Sequence, residues 1–100
     1  MKRETEEWIR IAEEDLEAAE HLSETSLYRM VCYHSQQVAE KILKAVLTEQ
    51  GIEFSRTHNI LDLQNAVKEV SHESPLDTED AVFLNSVYRA RYPEIGRAHV

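Results

Sequence analysis

Apolar residues recur at intervals of three and four along several stretches of the chain. This spacing places them on one face of a helix, so each stretch predicts an amphipathic helix. The first predicted helix runs from about Glu4 to Leu22, and polar residues fill its other side. Its apolar stripe consists of Trp8, Ile11, Ala12, Leu16, Ala19 and Leu22.

The second predicted helix runs from Leu27 to about Gln50, with Ser26 as its N-cap and Gly51 as its C-terminal stop. Two rows of apolar residues run along this helix, and this pattern predicts that the helix is buried on two sides. Glu40 and Lys44 are four residues apart in the favourable order, a pairing worth a few tenths of a kcal/mol. The first row consists of Val31, Val38, Ile42 and Ala45, and the second row consists of Ala39, Leu43, Val46 and Leu47.

A third helix is predicted to start near Asn59, with Thr57 or His58 in its capping region, and to carry apolar residues as far as Val70. A fourth carries the apolar positions from Ala81 to Tyr88 and ends before Pro93, since the residue before a proline disfavours helical geometry. Short connections between long helices predict an all-α fold, an antiparallel up-and-down helical bundle.

Composition and charge narrow the function classes. The chain has two glycines and two prolines in 100 residues, too few for the many turns of an all-β fold. Its net charge of −8 argues against non-specific binding to duplex DNA. The single Cys32 excludes an internal disulfide framework, and the scattered histidines predict neither a metal site nor another cofactor. Without a signal peptide or an apolar run of about 20 residues, we expect a cytoplasmic protein with no membrane association.

Four fragments of the sequence carry a family resemblance. They are "WIRIAEEDLEAA" in the first helix, "QQVAEKILKAVL" in the second, "THNILDL" at the start of the third and "RYPE" at residues 91–94. In this order and spacing they resemble the HEPN domain family. The resemblance covers Trp8 to Glu94.

The resemblance implies a helical bundle that usually forms a homodimer. Family members often accompany a small nucleotidyltransferase as halves of a toxin–antitoxin-like pair. Some are metal-independent RNases, and others bind nucleotides or act as the partner subunit. The family fold also has a helix after the "RYPD" motif, so the resemblance implies that the last helix is missing here.

The RNase branch uses an arginine followed, after four to six residues, by a histidine. Arg29 and His34 have this spacing. However, they lie at the start of the second helix rather than late in the chain. Five residues along a helix also turn the two side chains about 140° apart. His34 shares a face with Val31 and Val38, so we expect a partly buried, hydrogen-bonded histidine, and the catalytic residues stay unknown.

Six residues are candidates for binding a nucleotide or RNA: Gln37, Lys41, Lys44, His58, Arg91 and Tyr92. The first three form a line on the second helix, where lysines can meet phosphate, but an ordinary solvated face has the same pattern. His58 can contact phosphate or simply cap the third helix. Arg91 and Tyr92 can bind phosphate and stack on a base, or instead help to close the bundle.

The last six residues, "IGRAHV", show no helical pattern. The start of a common sequencing adapter, preceded by one G and translated in frame, gives Glu-Ile-Gly-Arg-Ala-His-Val followed by a stop. We therefore expect an incomplete helical domain at residues 1–94 and a non-native tail at residues 95–100.

Two functions follow from these patterns and the resemblance. One is a nucleotide- or RNA-binding partner subunit of a small nucleotidyltransferase. The other is a metal-independent endoribonuclease toxin whose catalytic Arg–His motif lies in the missing C-terminal part. A purely structural bundle is the weakest alternative.

Overall fold

A computed structural model describes residues 1–54 and 56–71 of the chain, which form three helices. Helix α1 spans Arg3–Leu22, α2 spans Tyr28–Glu49 and α3 spans Ile60–Ser71. The predicted ends of these helices agree with the structure to within one residue. These described residues contain no strand, and the all-α class is confirmed. The fourth predicted helix, Arg91, Tyr92 and the C-terminal tail lie outside the described residues.

Helices α1 and α2 pack antiparallel. The start of α1 meets the end of α2, where the backbone N–H of Lys2 donates to Glu49 Oε1 at 3.0 Å. Near the middle of α1, Asp15 meets His34 of α2. The buried residues of α1 are small and seven apart, so the two helix backbones can approach closely. They are Thr5, Ala12 and Ala19.

The apolar stripe predicted for α1 is therefore only partly correct. Ala12 and Ala19 are buried, but Ile11 is 39% exposed and Leu16 is 47% exposed. Helix α1 turns its small residues toward α2, because large side chains at the line of closest approach would push the helices apart.

The main apolar core lies between α2 and α3. Leu43, Leu47 and Ile60 have no exposed surface, and Leu63 and Val67 are 1% exposed. Helix α2 contacts both other helices, whereas α1 and α3 do not pack directly on each other within residues 1–54 and 56–71. The predicted two-sided burial of α2 is thus confirmed.

Turn chemistry matches the prediction at one end of α2 and differs at the other. Gly51 has a φ of 72°, a left-handed conformation that suits glycine at a helix C-terminus. The predicted Ser26 cap is wrong, because Leu27 holds the N-cap position and no side chain caps the helix. The hydroxyl of Thr25 instead accepts the backbone N–H of Leu27 at 3.1 Å and closes a tight turn.

The connector between α2 and α3 runs back along α2. His58, near its end, reaches Glu40, which lies nine residues before the last residue of α2 and thus about 14 Å along the helix. Asn59 then caps α3, since its Oδ1 accepts the backbone N–H of Asp62 at 3.2 Å. None of the described helices combines the length and apolarity needed to cross a bilayer.

Candidate functional site

A fully buried carboxylate, Glu40, organises the polar residues of α2. Its Oε2 accepts hydrogen bonds from Lys41 Nζ at 2.7 Å and from Lys44 Nζ at 3.0 Å. Its Oε1 lies 2.7 Å from His58 Nδ1 on the connector. The carboxylate therefore has three polar partners, which offset the cost of removing it from water. We call Glu40, Lys41, Lys44 and His58 the Glu40 cluster.

The charge state of Glu40 follows from these contacts. Burial alone raises the pKa of this carboxyl, because a low dielectric disfavours the charged form. The hydrogen bond and charge of Lys41, the charge of Lys44 and the hydrogen bond to His58 outweigh burial. The pKa of Glu40 thus lies below its ordinary value, and the side chain is an anion at neutral pH.

Trp8 of α1 covers the lysine side of the cluster. The ring centroid lies 5.3 Å from Lys44 Nζ and 5.7 Å from Lys41 Nζ, which are cation–π distances. On the connector side, Trp8 packs against Phe54 with centroids 6.3 Å apart and ring planes tilted by 54°. Trp8 therefore joins α1, α2 and the connector at one point.

A second set of polar contacts lies one turn earlier on α2. Gln37 Nε2 donates to Gln36 Oε1 at 2.7 Å, and Gln36 Nε2 approaches the carbonyl of His58 at 3.5 Å. Both glutamines are buried. Helix α2 thus holds the His58 backbone through Gln36 and its side chain through Glu40, which fixes the position of the connector.

The structure brings together four of the six predicted binding residues. Gln37, Lys41, Lys44 and His58 all lie in or beside the Glu40 cluster. Gln37 and Lys44 are buried, at 6% exposure each. The Lys41 and His58 side chains are 13% and 20% exposed and form the accessible edge. Arg91 and Tyr92 lie outside the described residues.

One predicted role of His58 is wrong. The sequence made it a candidate to cap α3, but its side chain turns to Glu40, and Asn59 caps the helix instead. Thr57 supports this turn, because its hydroxyl accepts the backbone N–H of Asn59 at 3.0 Å.

The central role of Glu40 was missed, although the sequence contains a signal for it. At 100° per residue, Glu40 lies only about 20° around the helix axis from Leu47, a core residue. Gln36 likewise lies about 20° from Leu43 and from Leu47. Polar residues on the same face of a helix as large apolar core residues are buried with them, and they therefore need hydrogen-bond partners inside the protein.

His34 behaves as predicted. Its Nδ1 lies 2.8 Å from Asp15 Oδ1, and its side chain is 22% exposed. The ring also meets Tyr33 edge-on, at a centroid distance of 5.1 Å. This histidine thus ties α2 to α1 and is hydrogen-bonded and partly buried, as expected.

Ligand chemistry at the Glu40 cluster depends on its charge balance. Two ammonium groups, from Lys41 and Lys44, face one carboxylate. Each ammonium carries three donors and uses one of them on Glu40, so donors remain for an anion. Across residues 1–54 and 56–71, His, Cys, Asp and Glu side chains form no group of three or more that could hold a metal ion.

Comparisons with known proteins agree with this fold. A model of the HEPN domain matches residues 5–97. A protein of Methanocaldococcus jannaschii named Putative toxin MJ1304 is 53% identical over 49 residues. The aligned stretch covers 49% of this chain and 32% of that protein, so this chain spans about a third of its relative. No solved structure shows a significant match.

Proposed function

Because the chain belongs to the HEPN domain family, we propose that it is the partner subunit of a small nucleotidyltransferase in a toxin–antitoxin-like pair, and that it binds a nucleotide or RNA. The name of the M. jannaschii relative supports the toxin–antitoxin setting, because it refers to a toxin. We also propose that the chain forms a homodimer and is located in the cytoplasm.

The observation that carries the binding part is the excess of cations in the Glu40 cluster. Lys41 and Lys44 share a single carboxylate oxygen, so within residues 1–54 and 56–71 one of the two positive charges has no anion of its own in a poorly hydrated place. A phosphate that reaches the accessible edge at Lys41 and His58 would supply it. Such contacts to an ionised acceptor are about twice as strong as neutral hydrogen bonds. The other proposed contacts to the nucleotide or RNA are made by Gln37, Arg91 and Tyr92.

The partner role predicts that a small nucleotidyltransferase is encoded beside this chain, and it is tested by co-expressing the two proteins. We expect the two proteins to copurify through affinity and size-exclusion steps. Copurification must persist at about 0.5 M salt, because a purely electrostatic association between exposed charges is screened under these conditions. Separate elution of two well-folded proteins would contradict the partner role.

The binding part is tested by equilibrium dialysis of labelled nucleotides and a short RNA. Lys41→Met should weaken binding by about tenfold, since one charge-assisted hydrogen bond is lost. Lys68→Met is the matched control, because Lys68 lies on α3 and is not part of the Glu40 cluster. Equal affinity of both variants would argue against a role for the cluster in binding.

A second candidate function is a metal-independent endoribonuclease, favoured by the toxin named among the relatives. This candidate requires a catalytic Arg–His motif outside the described residues. The full native protein would then cleave a generic RNA in EDTA, and substitution of the motif histidine by alanine would abolish cleavage. Intact RNA after prolonged incubation with folded protein would exclude this candidate.

A further inference from the structure

A groove of about 730 Å³ lies where the start of α1, the end of α2 and the connector meet. Its size falls within the range of small-ligand sites. Its walls combine basic, acidic and aromatic side chains: Lys2, Arg3, Glu4, Trp8, Glu53 and Phe54. Of the six residues predicted to bind a ligand, the four that the structure describes do not line it, so the groove is separate from the accessible edge of the Glu40 cluster.

We propose that this groove binds one mononucleotide, with the base against Trp8 and Phe54 and the phosphate on Arg3 and Lys2. The inference rests on the proposed nucleotide binding and gives it a location and a ligand class. It places the main nucleotide contact on a neighbouring surface rather than at the Glu40 cluster, and Trp8 contributes to both.

The aromatic wall supplies the place for a base. Trp8 and Phe54 are both half-buried, so each is held by packing and still presents surface to the groove. Their rings are tilted by 54° rather than stacked face to face, and both residues line the groove, where a base can contact them. Stacking of a base on an aromatic side chain typically contributes about 1–3 kcal/mol and suits every base.

The cations supply the place for the phosphate. Arg3 is exposed and forms no ion pair within residues 1–54 and 56–71, so its guanidinium can take a phosphate through two hydrogen bonds. Lys2 Nζ donates to the carbonyl of Thr48 at 3.2 Å, and two of its three donors remain. That bond also holds the lysine beside the groove, which reduces the entropy lost when a ligand binds.

The carboxylates of the groove narrow the ligand class. Glu4 and Glu53 balance the charges of Lys2 and Arg3, so the lining as a whole is close to neutral. Such a lining can pair its two cations with the phosphate of a monophosphate, but it offers no net attraction to the additional charges of a triphosphate. Carboxylates can also accept hydrogen bonds from ribose hydroxyls, as they do in many nucleotide sites.

The chain itself contains the probe for this proposal, because Trp8 is its only tryptophan. Adenosine 5′-monophosphate is titrated into the full chain while Trp8 fluorescence is recorded, and the affinity is confirmed by calorimetry. We expect saturable quenching. Adenosine 5′-triphosphate should bind at least about threefold more weakly, because the near-neutral lining does not offset its additional negative charge near a chain of net charge −8.

Substitutions assign the binding to the groove. Arg3→Ala should weaken binding by about tenfold and Phe54→Leu by about fivefold, whereas far-UV circular dichroism should be unchanged in both. Arg10→Ala is the matched control, because Arg10 is an exposed arginine on the same helix that does not line the groove. Its affinity should equal that of the unsubstituted chain.

The outcomes separate this inference from the proposed function. If the monophosphate binds, Arg3→Ala has no effect and Lys41→Met abolishes binding, the groove is refuted and nucleotide binding by the Glu40 cluster stands. If no binding is found at millimolar monophosphate, the groove is refuted as well, and the partner role is judged independently by copurification. Equal losses for Arg3→Ala and Arg10→Ala would show that general surface charge, not the groove, attracts the ligand.

Discussion

Replacement of Glu40 by glutamine tests how the centre of α2 is stabilised. The substitution keeps the size of the side chain but removes the charge that Lys41 and Lys44 share. Loss of one partner from a buried ion pair typically costs about 3–5 kcal/mol, because the remaining charge stays buried without compensation. We expect a loss near 3 kcal/mol in the free energy of unfolding, since Lys41 is 13% exposed and water can partly solvate it.

Urea denaturation at pH 7, followed by circular dichroism and by Trp8 fluorescence, measures this loss. For a slope of about 1.5 kcal/mol per molar urea, a loss of 3 kcal/mol lowers the midpoint by about 2 M. Glu14→Gln is the matched control: Glu14 is an exposed glutamate on α1, and its replacement should change stability by less than about 0.5 kcal/mol.

The pH dependence provides a second signature of the same carboxylate. The pKa of Glu40 in the folded chain lies below its ordinary value of 4.5. The ionised Glu40 therefore contributes fully to the free energy of unfolding above pH 4.5. This contribution is lost as the pH falls through the lower pKa of the folded state. The stability difference between the native chain and Glu40→Gln should thus shrink as the pH falls below 4.5.

Two results would refute this reasoning. A loss of less than about 1 kcal/mol at pH 7 would mean that the two ammonium groups do not depend on Glu40. An equally steep loss of stability below pH 4.5 in the native chain and in Glu40→Gln would mean that other carboxylates cause the acid sensitivity.

Three further substitutions test other parts of the fold by urea denaturation. Gly51→Ala should cost about 1 kcal/mol, because its φ of 72° strains a residue with a Cβ atom, and an unchanged midpoint would contradict this. Leu47→Ala should cost about 2–5 kcal/mol since Leu47 is fully buried, whereas Leu16→Ala, at 47% exposure, should cost much less; similar losses would place the core elsewhere. Asp15→Asn should lower the free energy of unfolding by about 1 kcal/mol, because the side chain that contacts His34 loses its charge. If Asp15→Asn costs the same in a chain that already carries His34→Gln, the contact between the two residues is not responsible.

The sequence was sufficient for the three described helices because their apolar period is a local property. It was less informative about which apolar residues are buried. Ile11 and Leu16 have the hydropathy of core residues but remain exposed, whereas Thr5 is buried at 2% exposure. Because α1 and α2 approach closely, only small side chains fit between them. The distance between the two helix axes is set by the whole interface rather than by any single residue.

The Glu40 cluster was predicted only in part, for a related reason. Spacing along the helix indicated a weak surface pair between Glu40 and Lys44, and this spacing is correct. The burial of the pair depends on Trp8 and His58, which lie 32 residues before and 18 residues after Glu40. Contacts over such separations arise from the path of the connector, which no local pattern encodes.

The hydrogen bond between His58 and Glu40 also determines where foreign sequence can be placed in this chain. The connector has to bring His58 back about 14 Å along α2, so a tag inserted after Gly51 would compete with a buried contact. The turn at residues 23–27 has no such constraint, because all five residues are exposed and its hydrogen bonds are local. An epitope or a fluorescent label for following the protein in cells therefore belongs in that turn.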